Sequence, residues 1–161
     1  MKTDLRKAVA IGAVALAVGA VAPATALADS TVPANVQADI TKTQTDVQAL
    51  HDAVVADANA VTSDVQSLQG STDKSAIRTT LKADFQKLRS DRQGGNQTVL
   101  ADWQQLRTDW QAARAAKQGQ GQIGPLVKAM HTANMSLRAD LRQSVQAARQ
   151  AAQALRQTLK G

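Results

Sequence analysis

The sequence predicts an all-α protein, an elongated antiparallel bundle of three long helices. Apolar residues recur in steps of three and four over three long stretches, the period of a helix with one buried face. A second observation is a repeat: Ala-Asp-x5-(Ser/Thr)-Asp-x-Gln occurs at 38–48, 56–66, 83–93 and 101–111. Within each half the copies lie eighteen residues apart, about five helical turns, so equivalent positions return to one face of a straight helix. Third, the unit at 38–66 maps onto 83–111 by a constant offset of forty-five. The repeat describes helices, not a chemistry.

The first helix is expected at about 34–69, where Pro and Gly are absent and Val36, Ile40, Thr43, Val47, Leu50, Val54, Ala58, Val61, Val65 and Leu68 form the stripe. Gly70 then stops it, and Ser71-Thr72-Asp73 offers N-caps for the next. The second helix is expected at about 74–117, with Ile77, Leu81, Phe85, Leu88, Val99, Trp103, Leu106, Trp110 and Ala113 continuing the steps. Gly94-Gly95 is its weak point. A break at 94–96 is the alternative and would give a four-helix bundle. The offset of forty-five favours continuity, because Gly94-Gly95-Asn96 replaces Ala49-Leu50-His51 without added length, at ~1 kcal/mol for each helical Gly. A third helix is expected at about 125–160, opened by Pro125 in its first turn. Met130, Asn134, Leu137, Leu141, Val145, Ala148, Ala152, Leu155 and Leu159 share its stripe.

Residues 1–28 read as a secretory signal peptide. Lys2, Arg6 and Lys7 precede an uncharged apolar run, and Ala26-Leu27-Ala28 offers small residues where a signal peptidase cuts. Cleavage after Ala28 leaves 29–161 as one helical domain, secreted or held in the periplasm or cell envelope. That mature chain has no further span for a membrane. There is no Cys, so the fold holds by packing alone.

All thirteen acidic residues are Asp, and the net charge is +6. The charge is unevenly placed. Residues 29–70 hold six Asp against Lys42, a balance of −5, whereas 71–161 hold fifteen bases against six Asp, a balance of +9. The acidic flank of the first helix is expected to lie beside Arg138, Arg142, Arg149 and Arg156 of the last, as flanking charges do in coiled coils.

Few residues suggest chemistry. Gly119-x-Gly121-x-x-Gly124 matches a dinucleotide fingerprint in letters only, since that motif needs a preceding strand. It reads as a loop, leaving at most the amides of Leu126 and Val127 for an anion. The Asp pairs are seven residues apart, roughly 10.5 Å along a helix, too far to share one metal ion. His51 and His131 form no zinc-ligand spacing. No catalytic residue, cofactor or metal is therefore expected. The possible binding surface comprises Phe85, Trp103 and Trp110, which share one face, together with the four arginines of the last helix. The expected function is non-enzymatic protein–protein contact: binding, scaffolding or chaperone-like shielding of a protein partner or client, by a monomer or weak dimer. Binding of anionic envelope polymers through 71–161 is the alternative, and a small helical enzyme stands third. Export argues against nucleic acid.

Overall fold

In the computed structural model, which describes residues 32–119 and 121–158, the chain forms three helices: α1, Ala34–Ser67; α2, Lys74–Ala115; and α3, Ile123–Thr158. The expected elements are present, and α2 runs unbroken through Gly94-Gly95. Residues 1–31, where the signal peptide is expected, lie outside the described part, as does Leu159.

The helix ends follow local chemistry. The amides of Leu68 and Gln69 close α1 by donating to the carbonyls of Asp64 and Gln66, and Gly70 turns the chain at φ +87°. Asp73 caps α2 by accepting from the amides of Ser75 (2.9 Å) and Ala76 (3.0 Å), which satisfies two donors that the helix itself cannot pair. At the other end Lys117 takes φ +57°, and the amide of Gln118 reaches back to the Ala113 carbonyl at 2.9 Å. This is the reverse turn that usually carries glycine, so α2 ends two residues earlier than the sequence suggests. Pro125 is the third residue of α3. There its missing N–H costs no intrahelical bond.

Helix α1 is the centre of the molecule: both other helices run close along it, whereas α2 and α3 barely approach each other backbone to backbone. The small side chains on the α1 stripe permit this. Val36, Val54, Ala58, Val61 and Val65 are buried to within one percent of complete, and Val and Ala let two neighbours lean in on either side. Two apolar clusters result. The larger joins Val47, Leu50 and Val54 of α1 to Leu81 and Leu88 of α2 and to Leu141, Val145 and Ala148 of α3. The smaller, at the other end, gathers Val36, Ile40, Leu106, Met130 and Ile123.

The repeat has a structural meaning: α1 and α2 are halves of an approximate two-fold. Lys42 bonds Asp46 on its own helix (2.6 Å) and Asp102 on α2 (2.5 Å). Lys87 bonds Asp91 on its own helix (2.7 Å) and Asp57 on α1. Adding forty-five to 42, 46 and 57 gives 87, 91 and 102, so the second set is the image of the first. The midpoint of this relation falls at Leu50 and Gly95. A Cβ built on Gly95 would stand 2.5 Å from Leu50 Cδ1 and 3.1 Å from Leu50 Cβ. The two helices thus cross with a leucine set into a glycine, and two leucines would not fit. The glycines permit close packing here; they do not break the helix.

Candidate binding groove

The same pairings correct one expectation. Among the described residues the α1 aspartate that pairs with another helix, Asp57, meets Lys87 of α2, and none pairs with an arginine of α3. Among the described residues every inter-helix ion pair is made by a lysine, and no arginine enters one. The reason is the two-fold: the antiparallel pair of like repeats brings Asp102 opposite Lys42 and Asp57 opposite Lys87.

Carboxylates also meet each other across the α1/α2 seam. Asp39 faces Asp109, and Asp84 faces Asp64, again related by forty-five. Burial, then hydrogen bonding and charge from Asp109, push the Asp39 carboxyl above the usual range. Burial followed by the charge of Asp64 does the same for Asp84. Each keeps a buried Oδ2 without a donor, as expected where the facing group is another carboxylate. In the opposite sense, hydrogen bonds from Lys42 and Lys87 hold Asp46 and Asp91 below it. Contacts with Asp102 and then Asp46 push Lys42 up to about 12. These clusters tie two helices together. Among the described residues no three ligating side chains converge on a point that could hold a metal.

With the aspartates engaged along α1/α2, the cations line the opposite seam. Lys82, Phe85, Arg89 and Arg92 of α2 face Arg149 and Arg156 of α3 across a groove of ≈ 560 Å³ floored by Leu81 and Leu88. Phe85 is half-buried, and the four arginines are exposed. Like charges on both walls repel, which fits the wide spacing of α2 and α3. Further along the same seam lies a second recess of ≈ 360 Å³, lined by Trp103, His131, Asn134, Met135 and Arg138. The Trp103 ring meets His131 edge to face at 6.2 Å and 74°.

The expected site residues are thereby distributed as follows. Phe85, Arg149 and Arg156 share the larger recess, and Trp103 and Arg138 share the smaller. Arg142 is exposed between them in the α3 sequence. Trp110 lines neither recess; it is half-buried against the smaller core cluster beside Leu126 and Val127. The aromatic face is therefore neither closed core nor free surface: Trp103 packs one side on both clusters and turns the other to the groove. The Leu126 amide donates to the Gln122 carbonyl, so the loop holds its own chain with it.

Sequence reading missed five contributors. Lys82, Arg89 and Arg92 recur at the three- and four-residue spacing of Phe85, so the helical period marks them. Leu100 and Met135 stand 59% and 49% exposed; Leu100 lies three residues before Trp103 on α2, and only the fold brings Met135 into the Trp103 recess. No protein family, no curated protein and no solved structure matches this chain.

Proposed function

We propose that this is an exported, non-enzymatic binding protein that works by contact, holding an acidic partner in the α2/α3 groove. One observation carries the reading: among the described residues the cations on both walls have no ion-pair partner. Guanidinium groups recognise carboxylates and phosphates through paired hydrogen bonds, and an anion laid between the walls relieves their mutual repulsion. The aspartates that might suggest catalysis are engaged in joining α1 to α2. Binding of an anionic envelope polymer is the second reading, which the arginines alone support as well.

The test uses short fluorescein-labelled poly-aspartate as the probe. Changing Arg89, Arg92, Arg149 and Arg156 to Gln should abolish binding and its salt dependence. Changing Lys74, Arg114, Lys117 and Lys128 to Gln removes the same charge outside the groove. Equal loss in both variants would show attraction to net charge alone and defeat the proposal.

A further inference from the structure

We infer that the occupant of this groove is an acidic segment of another protein carrying one apolar anchor, and that the anchor sits at Leu100, Trp103 and Met135. The inference rests on the binding function proposed above and adds the identity of the ligand.

The seam is divided by chemistry. At ~100° per residue, Phe85, Arg89, Arg92, Leu100, Trp103 and Arg107 all fall within about eighty degrees on α2, so one face carries the whole series. Its first half is cationic, with Lys82, Arg89 and Arg92 opposite Arg149 and Arg156. Its second half carries the apolar surface: half-buried Trp103 and exposed Met135 line the recess together with Arg138, and exposed Leu100 stands three residues before Trp103 on the same helix face. Along α3, Met135 and Arg156 are twenty-one residues apart, roughly 32 Å at ~1.5 Å per residue. Arg138 stands in the recess itself, roughly 4.5 Å along the helix from Met135, and Arg142 follows at roughly 10.5 Å.

A ligand matching both halves needs carboxylates spread over some 20 Å and, beyond them, a side chain that covers apolar surface. A simple polyanion has the first and not the second, and would leave Leu100 and Met135 in water. A bilayer offers both, but it is flat. Trp103 lies in a recess with one side on the core, where a lipid surface does not reach. A peptide segment fits: Asp or Glu residues pair with the arginines, and a Leu or Phe enters the recess. Trp and Arg are the residue types on which such contacts concentrate their energy.

The experiment compares three fluorescent or competing probes on the full mature chain: a Glu-rich peptide with a single Phe at one end, the same peptide with Ser in place of Phe, and inorganic polyphosphate. The Phe peptide should bind at least about tenfold tighter than the Ser peptide. Leu100→Ser with Met135→Ser should erase that advantage and leave polyphosphate binding unchanged. Both positions are exposed, so the fold tolerates the change, and circular dichroism checks it. Equal affinity of the two peptides, or an advantage surviving in the double variant, overturns the anchor while the groove stands. Unaltered binding when the four groove arginines become Gln defeats the groove itself. Binding confined to anionic phosphatidylglycerol vesicles overturns the protein partner.

Discussion

The crossing of α1 and α2 at Leu50 and Gly95 makes the two adjacent glycines behave oppositely. Gly94 has nothing within 4 Å of a built Cβ. Gly94→Ala therefore gains only the helical preference of Ala over Gly, up to ~1 kcal/mol. At Gly95 the same methyl meets Leu50 Cδ1 at 2.5 Å, Cβ at 3.1 Å and Cγ at 3.2 Å. Rotating the terminal methyl does not clear the other two atoms, and Leu50 is itself buried among Val47 and Val54. Overpacking of this kind costs ~1–3 kcal/mol. Set against a propensity gain of ~1 kcal/mol, Gly95→Ala should destabilise by up to ~2 kcal/mol. The double change to Ala should fall near zero, not at the stabilisation expected from an uncrowded helix. A double-mutant cycle with Leu50→Ala isolates the contact: Leu50→Ala alone should cost ~2–5 kcal/mol, and Gly95→Ala should become harmless or favourable in that background. Urea melts followed by circular dichroism measure all four. If Gly95→Ala stabilises as much as Gly94→Ala, the helices do not cross there and the two-fold argument fails.

Three further outcomes follow from the same geometry. Asp39 and Asp84 have raised pKa values, so their charge opposes folding at neutral pH and the penalty fades as pH falls toward ~3.8, the free-acid value. Asp46 and Asp91 are lowered; their contribution persists above that value and is lost below it. Stability should thus rise from neutral pH into mild acid and then fall, and Asp39→Asn with Asp84→Asn should raise the neutral melting temperature and flatten the rise. Lys87→Met should lower the denaturation midpoint more than Lys82→Met, because only the first strands the buried Asp57 carboxylate. Trp103→Ala should cost ~1.5–3 kcal/mol in a denaturant melt, about half the value for a fully enclosed ring, since one side faces the groove. A cost near zero would remove Trp103 from the core.

The helical period placed nearly every buried position, because a long amphipathic helix repeats its signal many times. Val36 to Val65, Ile77 to Ala113 and Met130 to Leu155 were all legible for that reason. The continuity at Gly94-Gly95 was legible only through the offset of forty-five; local propensity alone argues for a break there. What the pattern could not supply was rotation about the helix axis. Asp57 and Asp102 flank their stripes on a side that either neighbour might occupy, so pairing with Lys87 and Lys42 instead of α3 arginines needed the packed structure. The groove follows from that rotation. Once the lysines answer the aspartates, Arg89, Arg92, Arg149 and Arg156 are left facing one another. Met135 lies off the apolar stripe and reads as an ordinary exposed residue until Trp103 is set beside it.

The central claim is that unpaired arginines on two helices hold one acidic partner between them, and side-chain NMR reads those groups directly. Titrating the isotope-labelled mature chain with the Glu-rich, Phe-anchored peptide, the account predicts saturable shifts in the Nε–H signals of Arg89, Arg92, Arg149 and Arg156 with a single affinity. Arg78 and Arg114, which line neither recess, should stay nearly still. Uniform, non-saturating shifts over all the arginines, or saturation confined to one helix, would contradict it.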